Sequence, residues 1–157
     1  MAAPLNDIGI NPFRSDRRLF EGCVAATAGI KYGMVVVAHT AGPDTNARTV
    51  QLPATKGATG VRGVVSDQGD PNNSYAFALG DEFGCCVDGF VEVLLDAGEV
   101  ATKDAPAITG TTPGTVAAVA GSAPYDICGT FAQTYDNSAG SNPVLVSMKV
   151  SVYRRFA

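Results

Sequence analysis

Alternation of apolar and polar positions is clearest at the end of the chain. In "PVLVSMKVSVYRRF", Val144, Val146, Met148, Val150 and Val152 share one parity, and Leu145, Ser147, Lys149 and Ser151 share the other. A period of two predicts a strand with one buried face. Earlier runs predict more strands: "GMVVVAHT", "RTVQLPA" and "GVRGVVS". Pro53 should end the second of these, because proline cannot donate to a ladder. Gly63, inside the third, predicts a bulge or a close backbone approach. "AGPDTNA" between the first two has turn chemistry, and "DQGDPNNS" reads as a loop. Further on, "AGEVATKDAPAITGTTPGTVAAVAG" reads as short strands split by Gly and Pro, and "YDICGTFAQTY" as a strand containing Gly129.

The stretch "DEFGCCVDGFVEVLLDAGE" carries the most structural information. Asp88-Gly89 lies between two strand-forming runs, which predicts a hairpin turn there. In the second run Val91, Val93 and Leu95 share one face, and Phe90, Glu92 and Leu94 share the other. Both faces are largely apolar. Such a strand is buried on both sides, or its outer face meets another subunit. Phe90 and Leu94 are therefore the candidates for self-association, since only Glu92 solvates their face.

The beginning of the chain differs. Pro4 and Asn11-Pro12 interrupt regular structure, and Leu5, Ile8, Ile10 and Phe13 follow no sustained period. Residues 1–22 read as an extended N-terminal arm and residues 23–157 as a β-rich body. Within the arm, "SDRRLFEG" could make one helical turn, with Ser15 as its N-cap and Gly22 as its stop.

Composition supports a folded, mainly β chain. The 157 residues are 46% hydrophobic and 17% charged, with 18 Gly and 9 Pro. Glycine and proline at that density favour short strands and many turns over long helices. No apolar run approaches the roughly 20 residues that span a membrane as a helix. The opening residues lack the basic start and apolar run of a secretory signal, so synthesis in the cytosol is expected. Charge is uneven. Residues 1–62 carry a net +3, residues 63–147 a net −10 and residues 148–157 a net +3, within a total of −4. Basic ends around an acidic body suggest that the ends meet a partner. The basic residues are too few, and lack the sequence context, for a nucleic-acid module.

Catalytic chemistry finds little support. The single histidine, His39, lies at a strand end with no nucleophile or second ligand nearby in sequence, and a hydrogen-bonded or surface role is expected. Cys23, Cys85, Cys86 and Cys128 have no CxxC spacing, and adjacent residues of a strand face opposite ways. Cys85 and Cys86 are thus expected to be reduced and to pack as small hydrophobes. The acidic residues gather at turns. The loop at Asp67, Asp70, Asn72 and Asn73 offers oxygen ligands but lacks the spacing of a calcium loop. No phosphate-cradling or nucleophile-elbow motif occurs. The expectation is a protein without catalysis, cofactor or metal.

The order of elements carries a resemblance. "GVRGVVSD", then "ALGDEFGCCVDGFVEVLLDAGEVATKDAP", then "YDICGTFAQT" and "PVLVSMKVSV" resemble the small capsid decoration, or cement, proteins of tailed bacteriophages. The matching positions are Gly63-Val64, Gly80-Asp81, Gly89 and Gly129, and the resemblance covers about residues 60–150. It implies a compact β-barrel or β-tulip-like body on the outer capsid surface, assembled in the host cytoplasm. It also implies a homotrimer that binds the major capsid protein and neither nucleic acid nor membrane. Under it, the arm becomes the coat-binding element, with Leu5, Ile8, Ile10 and Phe13 as apolar anchors and Arg14, Arg17 and Arg18 as charged contacts. The rival reading is a β-clip-like module that binds a small ligand or sugar. Such a module should gather aromatic side chains for stacking, whereas this chain has no Trp and its Phe and Tyr are scattered in sequence.

Overall fold

The computed structural model describes residues 19–39, 48–69, 71–122 and 124–152. The arm residues Leu5, Ile8, Ile10, Phe13, Arg14, Arg17 and Arg18, and the N-cap candidate Ser15, lie outside them. The architecture is almost entirely β. The strands are β1 (Leu19–Ala25), β2 (Val35–Ala38), β3 (Thr49–Gln51), β4 (Val61–Val65), β5 (Glu82–Leu95), β6 (Val100–Ala101), β7 (Pro106–Thr109), β8 (Val116–Ala118), β9 (Gly129–Phe131), β10 (Tyr135–Asp136) and β11 (Val144–Ser151). A 3-10 turn, Pro71–Asn73, interrupts the loop before β5.

Nine strands form one sheet, in the order β1-β3-β2-β4-β5-β11-β9-β7-β8, with further pairings of β1 to β5 and β5 to β8. The first extra pairing closes β5, β4, β2, β3 and β1 into a barrel. The second brings β8 back to β5 at Leu95↔Val116, which completes a second ring through β11, β9 and β7. The 14-residue β5 belongs to both. Its first half pairs with β1 and β4, and its second half with β11.

Asp88-Gly89 does not turn the chain back, contrary to the hairpin expectation. A two-residue hairpin of the Asp-Gly type needs positive φ at both positions. Gly89 has φ +123, but among described residues only Ser74, Tyr75 and Asp104 are non-glycine residues with positive φ. Asp88 instead stays in the ladder, opposite Leu19 of β1 and Ser151 of β11. The long-range pairing supplied by two other strands outweighs the local turn preference. The register of β1 slips between Leu19 and Phe20, so that Val87 is bulged at the point where β5 passes from one ring to the other.

The helical turn also gives way over its described part. Leu19–Gly22 belong to β1, whose Cys23 and Ala25 point into the barrel. Pairing with β5 along six residues supplies the backbone hydrogen bonds that one isolated helical turn could not sustain.

Two cores result. Cys23, Ala25, Ile30, Val36, Val50, Val65, Phe77, Phe83 and Cys85 fill the first barrel, where the Phe77 and Phe83 rings stack at 4.7 Å. The second core joins the outer face of β2 and β4 to the inner face of the second ring. It contains Val35, Val37, Val61, Val64 and Cys86 from one side, and Val93, Leu95, Phe131, Val146, Met148 and Val150 from the other. β2 therefore buries Val36 in one core and Val35 and Val37 in the other, a direct consequence of period two. Gly63 makes the close approach its position suggested: a Cβ there would stand 2.7 Å from the Cys86 carbonyl oxygen. The C-terminal alternation holds throughout β11, with Val146, Met148 and Val150 buried and Leu145, Lys149 and Ser151 exposed.

Candidate functional site

Beyond the barrel, β5 keeps an outward face. Val91, Val93 and Leu95 turn to the second core, while Phe90 and Glu92 are exposed and Leu94 is half-buried. Register then decides their neighbours. β11 sets Leu145 opposite Leu94, Ser147 opposite Glu92 and Lys149 opposite Phe90. The Lys149 ammonium stands 6.0 Å from the Phe90 ring centroid, at the outer limit of a cation–π contact. Leu145 is 45% exposed and Phe90 38%. The two residues nominated for self-association thus lie on one outward strip, and the strip includes Leu145, which was not nominated. Its outward parity was legible in the alternation of β11, but its place beside Leu94 depends on the register.

The same face opens into a cleft of about 470 Å³, lined by Tyr32, Ser66, Phe90, Glu92, Gln133 and Ser147 among others. The loop between β1 and β2 brings Tyr32 here. The Gly33 carbonyl accepts the Leu94 N–H at 2.9 Å and fixes that loop to β5. The Tyr32 hydroxyl donates to Glu92 Oε2 at 3.3 Å. Ser147 N–H donates to Gln133 Oε1 at 3.0 Å, which holds the Gln133 amide in place. A second cleft of about 320 Å³ shares Tyr32 and adds Gln68 and Tyr75.

All four cysteines are free and buried. A hydrogen bond donated to Cys23 and burial push the Cys85 thiol far up, and burial pushes Cys128 up to about 12. Neither is a thiolate nucleophile at neutral pH. His39 Nδ1 lies 2.9 Å from Gln51 Oε1 on the neighbouring strand. Asp67 Oδ2 accepts from Gly84 N–H at 2.6 Å, and Asn73 Nδ2 donates to the Ala76 carbonyl at 3.2 Å. These bonds use parts of the oxygen-rich loop to organise backbone; Asp70 lies outside the described residues. Among the described residues, no three His, Cys, Asp or Glu side chains gather to hold a metal ion.

Asp96 is the principal buried acid, 4% exposed at the end of β5. It accepts from the backbone N–H groups of Thr111 at 2.8 Å, Thr112 at 3.0 Å and Ala97 at 2.9 Å. Burial pushes its pKa up, but the hydrogen bonds from Thr112, Thr111 and Ala97 outweigh that and hold it below the usual carboxylate range. Nearby, Asn137 Nδ2 bridges the carbonyls of Asp96 and Asn142 at 3.0 Å each. Lys56 pairs with Glu99 in a half-covered ion pair.

The class defined by these features is an all-β body in which a closed barrel shares its longest strand with a second ring. No family model matches the chain, and no curated protein matches it. Among solved structures, the chain is similar to the N base of head fiber gp8.5 in bacteriophage phi29. The TM-score is 0.50 and the identity 15%, over 87% of this chain and 96% of that one. The likeness is one of fold.

Proposed function

We propose that this chain is a structural protein of a bacteriophage head, and within that class a decoration protein that binds the outer surface of the capsid. The observation that carries the reading is the fold shared, nearly end to end, with a head-fiber base. The decoration-protein resemblance in the order of Gly63-Val64, Gly80-Asp81, Gly89 and Gly129 points to the same class of particle. The cysteines are consistent with it, since all four are free, buried and packed in the two cores.

In this reading the N-terminal arm binds the major capsid protein. Leu5, Ile8, Ile10 and Phe13 bury themselves on the coat, and Arg14, Arg17 and Arg18 pair with its acidic surface. Backbone pairing along a sheet edge is the mode open to such a segment. The strip of Phe90, Leu94 and Leu145 joins copies into a homotrimer. Many weak contacts on a lattice then gain strength by avidity.

Deletion of residues 2–18, followed by co-sedimentation with capsids at low and high salt, tests the arm. The expected result is a folded protein that no longer sediments with capsids. The full chain should lose some binding at high salt, through screening of the arginine contacts. A truncated protein that binds as well as the full chain would move the coat contact to the β body. Failure of the full chain to bind any capsid would remove the decoration reading itself.

A further inference from the structure

We propose that the paired clefts around Tyr32 form a binding site for an uncharged oligosaccharide. The inference concerns a ligand, goes beyond the capsid reading and does not rest on it.

Aromatic residues scattered along the sequence come together here. Tyr32 from the β1–β2 loop and Phe90 from β5 line the larger cleft, and Tyr32 and Tyr75 line the smaller. The larger volume falls within the roughly 300–1,000 Å³ of small-molecule sites. Two clefts that share one tyrosine suit an extended ligand with successive units. Sugar rings present flat C–H faces that rest on aromatic rings, and hydroxyls that need donors and acceptors around the edge.

Both kinds of group are present. The Tyr32–Glu92 pair offers a hydroxyl and a carboxylate within 3.3 Å of each other. Gln133 spends its carbonyl on Ser147 N–H, and its amide donors have no hydrogen-bond partner among the described residues. Ser66, Gln68 and Ser147 add neutral polar groups. Charge selects the class of sugar. Glu92 is the one acidic side chain among the described lining residues and none of them is basic, although the Lys149 ammonium stands 6.0 Å from the Phe90 ring centroid. A carboxylate in the lining disfavours acidic sugars and phosphates, whereas it accepts readily from hydroxyls.

Tyr75 adds an independent sign. It is 54% exposed and has φ +61, next to Ser74 at φ +52. Left-handed backbone at two consecutive non-glycine residues is costly and persists where the surroundings impose it. The Ala76 N–H bond to the Asn73 carbonyl and the bridge of Phe77 to Ile30 hold this turn against the Tyr32 loop. The strain fixes an exposed ring beside a cleft instead of burying it.

The test is titration of the full chain with uncharged tetrasaccharides (chitotetraose, cellotetraose and maltotetraose), with an acidic galacturonate tetramer for comparison, by calorimetry and saturation-transfer NMR. Phe90 belongs both to the cleft and to the association strip, so the stacking rings are assigned to Tyr32 and Tyr75, and substitution of Phe90 would not separate ligand binding from association. Tyr75→Ala and Gln133→Ala lie off the strip. Each should weaken binding of an uncharged tetrasaccharide about tenfold or more, with the near-ultraviolet spectrum and oligomer mass unchanged. Leu79→Ala, at an exposed apolar residue that lines neither cleft, should leave binding as it was. The proposal is overturned if no uncharged sugar binds, if the acidic tetramer binds better, or if both cleft variants bind as the parent does. Capsid co-sedimentation of the same variants is expected to be normal, so failure here leaves the head-protein reading standing.

Discussion

Cys85 and Cys86 are adjacent in the chain and packed in different cores. Cys85 lies inside the first barrel with Cys23 and Phe83, and Cys86 lies in the second core with Val64; both are fully buried. β5 thereby acts as a wall between two hydrophobic interiors, and each interior depends on one face of it.

Truncating the pair should reveal that separation. Cys85→Ala and Cys86→Ala each leave a small cavity and are expected to cost about 1–2 kcal/mol. Directly neighbouring residues usually couple. Here the cavities open into separate cores, so the double variant should equal the sum of the single ones within about 0.5 kcal/mol. Denaturant titrations of the four proteins measure this. A double variant that keeps its fold but loses assembly would instead point to a chemical role for the thiols.

Leu94 faces outward and half-exposed, so an acidic side chain there can reach water. Leu94→Asp should remain folded, with a thermal midpoint lowered by only a few degrees, and should shift any oligomer to monomer in sedimentation equilibrium. Unfolding of the variant would show that the strip is held against the protein's own core.

Asp96 links the end of β5 to the turn at Thr111 and Thr112. Asp96→Ala would leave the N–H donors of three partly buried hydrogen bonds unpaired, at a cost of roughly 2–4 kcal/mol. Because the folded pKa lies below the unfolded value, its contribution is fully present above the unfolded pKa of about 3.9. It is lost as pH falls through the lower folded value. Stability measured from pH 6 down to pH 2 should therefore decline in the parent, and Asp96→Asn should flatten part of that decline.

Gly129 is glycine for space alone. It does not have positive φ, yet a Cβ would collide with the Lys149 carbonyl oxygen across the β9–β11 pair. Gly129→Ala is expected to destabilise by roughly 3 kcal/mol or more. Gly98→Ala is the comparison, since nothing lies within 4 Å of a Cβ there and the cost comes only from its φ of +82. About 1 kcal/mol is expected for it. Equal losses in the two variants would contradict the steric account.

What the sequence determined by itself is the local and periodic part. Alternation named β11 and its buried face, and the parity of Phe90, Glu92 and Leu94 against Val91, Val93 and Leu95. Gly63 marked a bulge or a close backbone approach before any partner strand was known, whereas the crowding at Gly129 emerged only with its partner strand. Side-chain direction in a strand is a property of its own backbone, so one chain segment suffices to read it. Pairing is a property of two segments. Asp88-Gly89 has the letters of a turn, and only the arrival of β1 and β11 on either side kept β5 straight through it. Tyr32, Tyr75 and Phe90 share no spacing in sequence. They line adjoining clefts because Gly33 is bonded to Leu94 and Ile30 to Phe77. Contacts of such long sequence separation leave no period to read, and tertiary structure alone decided them.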